Sequence, residues 1–202
     1  MGERTRIWRY ASQTALAATA GVVLVPLLYR AGILGLATAF LLLAVGFVLL
    51  TLISIAVLVS AVRTREFRGN RIVVTFVASA LVASVPLWTI LMARGAPAIH
   101  DITTDTSTPP QFDAIVALRT DAPNSLEYGG ADLATMQHEG YPDLETLVVG
   151  LPPAQVVEQA RDVATAMGWE IVAADGPAGR LEASDTTFWF GFTDDIVVRA
   201  RA

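Results

Sequence analysis

Arginine punctuates the first half of the chain at long intervals. Twenty uncharged, mostly apolar residues separate Arg9 from Arg30, 32 separate Arg30 from Arg63, and 22 separate Arg71 from Arg94. A bilayer core of roughly 30 Å takes about 20 apolar residues to cross as a helix. Each window therefore predicts a transmembrane helix, at about 11–29, 33–61 and 72–93. The middle window would reach about 48 Å if wholly helical, so it must tilt or project beyond the hydrocarbon. Only Arg30, Ala31 and Gly32 separate the first two spans, which predicts a tight antiparallel hairpin. Pro26 and Pro86 predict local kinks, tolerated where neighbouring helices satisfy the freed carbonyls. Behind Arg4, Arg6 and Arg9 the first span has the look of a signal peptide. It runs into VPLLYRAG with no small-x-small cleavage site, so retention as an anchor is expected.

Beyond Arg94 the pattern changes. GAPAI, residues 95–99, is a short linker, and the polar stretch HDITTDTSTPPQF, residues 100–112, ends in Pro109 and Pro110, which disfavour helix and predict an extended arm. DAIVALR (113–119) reads as a strand, DAPNSLEYGG (121–130) as loop, ADLATMQHEG (131–140) as a short helix and TLVVG (146–150) as a strand. LPPAQVVEQARDVATAMGW carries the firmest local signals: Pro152 and Pro153 at a helix entry, Gly168 at its end. Val156, Ala160, Val163, Ala164 and Met167 form one apolar face. WEIVA, RLEAS and IVVRARA then predict three strands, with the turn ADGPAG between the first two. A helix packed on an antiparallel sheet buries these faces most simply, giving an α+β domain. The expected organisation is a three-span anchor (1–94), a linker arm (95–112) and an α+β domain (113–202).

Composition agrees with a membrane protein: 53% of the residues are hydrophobic and 16% charged. All 14 basic residues are arginine, and their distribution sets an orientation. Three lie in the N-terminal segment and four in RTREFRGNR (63–71) against one in the first loop, which places the N-terminus and second loop in the cytoplasm and residues 95–202 outside. The balance is +7 over residues 1–94 and −12 over 95–202. So acidic a domain disfavours nucleic-acid binding. The spans contain no Asp, Glu, Lys, Arg or His, which argues against an ion path or pump. With no cysteine, disulfides and thiolate chemistry are excluded.

Two stretches hold candidate chemistry. His100, Asp101 and Asp105 offer oxygen and imidazole ligands for a hard divalent cation, although no EF-hand spacing is present. Asp185, Asp194 and Asp195 would complete an acidic pocket if the fold brought them beside the arm; otherwise these residues are turn caps and solvated carboxylates. In TTFWFGFTDD, an extended backbone would direct Phe188, Phe190 and Phe192 to one face and Trp189 to the other, with Gly191 open to a bulge or turn. Core packing accounts for one face; the other suggests a membrane or partner surface. No Ser-His-Asp order, HExxH helix or phosphate loop appears.

The succession HDITTD, PPQF, YGG, YPDLETLVV, MGWEIVAAD, GRLEASDTTFWFGF and DDIVV resembles domain-of-unknown-function family 1499 from about Gly95 to the end of the chain. The preceding spans are similar to the membrane region of many bacterial members. The resemblance implies a bacterial inner-membrane location and a recognised domain, with no established activity. Members of that family continue with a further strand and a closing helix, so either the sequence is C-terminally truncated or this member is short. The leading expectation is a non-catalytic module in which the lipid-anchored chain presents an acidic domain to an envelope protein or lipid-derived ligand, without a cofactor. The alternative is a cation-assisted exoplasmic hydrolase using the His100–Asp105 arm with Asp194 and Asp195.

Overall fold

The computed structural model describes residues 3–64, 76–82, 84, 88, 91, 94–119 and 124–202. The chain divides into two compact units, Met1–Arg94 and Gly95–Ala202.

In the first unit, α1 (Glu3–Arg30) and α2 (Leu36–Thr64) are two long apolar helices. Their segments Gln13–Arg30 and Leu36–Val59 are long and apolar enough to cross a membrane. They are joined by a tight turn in which the Ala31 and Ile33 N–H groups donate to the carbonyls of Leu27 and Leu28, each at 2.9 Å. Gly46 of α2 lies against the Val22 side chain of α1, with no room for a Cβ between them. Contact between positions well before and well after the turn makes the helices antiparallel, as the short loop predicts. Ala15 and Ala39 are fully buried in this unit, and small residues of this kind let helix backbones approach closely. The expected third span at 72–93 lies partly outside the described residues; 76–82, 84, 88 and 91 are helical. Residues 65–71 of the expected cytoplasmic loop also lie outside them.

The second unit is α+β. Helix α3 (Gly130–Gly140) is followed by α4 (Pro153–Met167) and a three-stranded antiparallel sheet, β1 (Glu170–Asp175), β2 (Arg180–Thr186) and β3 (Thr193–Arg199), in the order β1-β2-β3. Pro153 opens α4, and Gly168 ends it in the left-handed region at φ 83°, donating to the Thr165 carbonyl. Helix α4 covers one face of the sheet, where Val157, Leu181 and Ala183 form the core with Ala160, Trp169, Ile171 and Val198 around them. Full burial of side chains such as Val157 and Leu181 contributes about 2 kcal/mol each.

Four local expectations are corrected. The apolar face of α4 is centred on Val157, Ala160 and Ala164, while Val163 and Met167 are 57% and 59% exposed. The helix is apolar over a wider arc than a three-stranded sheet can cover. DAIVALR is not a strand: Ala114–Leu118 is a 3-10 turn, because the Asp113 and Ile115 N–H groups both turn toward the Glu182 carboxylate. TLVVG forms no strand either. Its composition suits a sheet, but its side-chain tie, Thr146 Oγ1 to the Thr104 carbonyl at 2.8 Å, fixes it to the arm. Finally, TTFWFGF is not extended throughout; 188–190 form the turn between β2 and β3.

Candidate functional site

The polar arm is bound along its length to the rest of the second unit. Pro97 packs against Gly140 at the end of α3. The side-chain amide of Gln137 then acts as a strand partner for Thr103: its Oε1 accepts the Thr103 N–H at 3.0 Å and its Nε2 donates to the Thr103 carbonyl at 2.6 Å. Both residues are buried. Thr106 Oγ1 lies 3.4 Å from His138 Nε2.

Beyond Thr106 the arm meets the sheet face opposite α4. Side chains alternate along a strand, so with Leu181 and Ala183 in the core, Arg180, Glu182 and Ser184 share the other face. Their register partners on β3 are Arg199, Val197 and Asp195. Each charged group there holds part of the arm. Arg199 donates to Asp105 at 2.9 Å and to the Thr108 carbonyl, and Arg180 donates to the Gln111 carbonyl. Glu182 accepts the Asp113 N–H at 2.8 Å and the Ile115 N–H at 2.9 Å. Arg119 pairs with Asp195 at 3.1 Å. The contact points advance from Arg180 to Glu182 on β2 and then to Asp195, the register partner of Ser184, as the chain advances from Gln111 to Arg119, so this segment runs parallel to β2.

The buried carboxylate of Glu182 is the centre of this network. Burial pushes its pKa up, but the Ile115 N–H, the Arg180 guanidinium 2.7 Å away and the Asp113 N–H outweigh it and hold the group below its ordinary value. Asp105 is likewise held low: the Thr108 N–H at 2.9 Å outweighs the opposing effect of burial, and Arg201 and Arg199 lower it further. Asp101 differs: burial pushes its carboxyl up despite a hydrogen bond from the Ile102 backbone. Burial and the Asp101 charge also push up the phenol of Tyr128, whose Oη is buried with no hydrogen-bond partner among the described residues.

The six candidate ligands fall into separate settings. Asp105 is bound by two arginines, and Asp195 by Arg119 and by Ser184 Oγ at 2.8 Å. Asp185 and Asp194 are register partners on the α4 side of the sheet, beyond the core and exposed, so Asp194 and its neighbour Asp195 point to opposite faces. His100 is exposed beside the part-buried Asp101. Among the described residues no three His, Asp or Glu side chains gather as metal ligands. These groups can bind and orient arginine and backbone N–H.

The aromatic candidates stay together as a structured tip. The Thr187 N–H donates to the Phe192 carbonyl at 2.8 Å, the Gly191 N–H to the Thr187 carbonyl at 2.9 Å, and the Phe192 N–H to Thr187 Oγ1 at 2.9 Å. Gly191 supplies the positive φ, 70°, that closes the turn. Phe190 stacks on Phe192 with centroids 5.0 Å apart, and Phe188 meets Trp189 edge-on at 5.3 Å. Phe188 is 72% and Trp189 50% exposed.

Three further features escape a reading of the sequence alone. Gln137 and Glu182 look like ordinary surface polar residues of a helix and a strand. For Glu182 a signal exists, because it alternates with core Leu181 and Ala183 in a strand flanked by arginine. The third is Leu147 and Val148, 82% and 90% exposed, whose run of apolar residues without polar alternation suggests burial.

No curated protein and no solved structure matches the chain. A family model described as "Protein of unknown function (DUF1499)" matches residues 101–202, from the first aspartate of the arm through all three strands. Half of the chain, including the arm from Asp101 onward and the aromatic tip, is thus accounted for by one family, and the protein belongs to DUF1499.

Proposed function

We propose that this chain is a membrane-anchored interaction module: three spans with a cytoplasmic N-terminus in a bacterial inner membrane, carrying an acidic exoplasmic domain that binds an envelope protein or lipid-derived partner. One contrast carries the reading. The domain's own arginines occupy Asp105 and Asp195, the carboxylates on the arm face, while Phe188 and Trp189 stand at the surface on an ordered turn. A contiguous exposed aromatic group of this kind is characteristic of interaction surfaces. The two apolar helices support the anchor, and the arginine distribution supports the orientation. A cation-assisted hydrolase would need carboxylates converging on one cavity, and the pairing of Asp105 and Asp195 with arginines favours the non-catalytic reading.

The test is crosslinking of the full-length protein in its membrane, with the native sequence and with Trp189→Ala. Loss of a specific adduct on substitution is expected. An identical adduct pattern at the same yield would overturn the assignment of this surface.

A further inference from the structure

We infer that the β2–β3 tip, residues 188–192, is a bilayer-interface anchor whose ligand is the boundary between headgroups and acyl chains of a zwitterionic membrane. This rests on the reading of the domain as a membrane-anchored interaction module and names the partner of that surface.

The tip has the composition of an interfacial anchor, with four aromatic rings in five residues. Aromatic residues, Trp above all, favour the membrane–water boundary, where the ring is desolvated and its polar edge stays wet. The rings are not part of the core, which lies around Val157, Leu181 and Ala183. They are also pre-arranged. The two ring pairs and the three hydrogen bonds at Thr187, Gly191 and Phe192 fix the tip before binding, so little ordering cost attends insertion. The same bonds occupy backbone groups that would otherwise be stranded on leaving water.

Charge selects the kind of membrane and limits the depth. No charged residue lies between Asp185 and Asp194, and the hydroxyls of Thr186 and Thr193 at the base of the tip are bonded to each other at 2.9 Å. The exposed aspartate pair at 185 and 194 sits just behind. Two carboxylates at that position resist both deeper insertion and an anionic surface. Attachment is therefore apolar and insensitive to salt, unlike that of a polybasic segment. The linker 95–99 joins the domain directly to the apolar half of the chain, which keeps the tip at high effective concentration near a bilayer.

The chain has no cysteine, so a single introduced thiol is a unique probe site. Full-length protein with Trp189→Cys, and separately Phe188→Cys, is labelled with an environment-sensitive fluorophore and placed in phosphatidylcholine nanodiscs. Ala178→Cys, in the turn at the other end of β2, is the control. The labels at 189 and 188 are expected to show blue-shifted emission, quenching by lipid-borne nitroxide and protection from aqueous iodide, unchanged between low and high salt. The label at 178 remains open to iodide. Iodide access at 188 and 189 equal to that at 178 would overturn the inference, as would lipid quenching at all three sites. If the tip labels stay in water while the Trp189-dependent crosslink to a protein persists, the bilayer assignment falls and the interaction module stands. If that crosslink is also missing, both fall.

Discussion

Gln137 and Thr103, 34 residues apart in sequence, exchange two hydrogen bonds as if they were paired strands. Replacing Gln137 with Leu leaves the Thr103 N–H and carbonyl buried without partners, and each such loss costs about 1–3 kcal/mol. The expected result is a lowered thermal midpoint for Gly95–Ala202 and fast amide exchange at Thr103, with the core strands retaining their protection. Hydrogen exchange by mass spectrometry on the full-length protein reads both.

Glu182 serves two arm amides and one arginine. Substituting Ala leaves both N–H groups without their acceptor and removes the carboxylate partner of Arg180, and removal of one member of a buried charged network costs about 3–5 kcal/mol. Glu182→Gln retains acceptor capacity through one oxygen and is expected to lose less. Denaturant midpoints of the two variants, compared with the native chain, establish the order.

Acid should act on the staples before it acts on the core. Glu182 and Asp105 both have depressed folded-state pKa values. Their contribution to stability is therefore complete above the unfolded carboxylate value of about 4 and is lost as pH falls through the lower folded values. Asp101 works in the opposite sense. Its raised value means that the folded state binds a proton more readily, so its contribution improves as pH falls through that value. Asp101→Asn should raise stability at neutral pH and remove that part of the pH dependence, whereas Asp105→Asn should lower stability at neutral pH. Melting curves across pH distinguish the two signs.

Gly46 and Val22 set the approach of the apolar helices. Gly46→Leu overfills the contact, and overpacking of this kind costs about 1–3 kcal/mol. Val22 is β-branched and stiff within a helix, so it cannot swing aside. Val22→Ala should recover part of the loss in the double variant, read as thermal stability of the full-length protein in detergent.

What the sequence made legible depended on the range of the interaction. Pro153, Gly168 and the alternation through β2 act within a few residues, and the helix and hairpin strands follow from them. The arm was visible as polar and extended, but its docking depends on Glu182 reaching Asp113 and Ile115, 69 and 67 residues away, and on Arg199 reaching Asp105 at a separation of 94. A local pattern carries no trace of such partners. DAIVALR misled for the same reason: its apolar run suits strand or turn, and a carboxylate from another element decides. Asp105 likewise has the same local surroundings whether it meets a cation or a guanidinium. The aromatic run was legible as a run, with core packing and a surface role both open, while its turn geometry depended on Thr187 bonding forward to Phe192.

The docked arm is also the covalent route that leads from the apolar helices into the folded domain. Tension entering at Gly95 passes the Pro97–Gly140 contact, then the two bonds between Thr103 and Gln137, and reaches the β-sheet at the Asp105–Arg199 pair. Load therefore meets successive fastenings, like the strain relief on a cable, before it acts on the sheet.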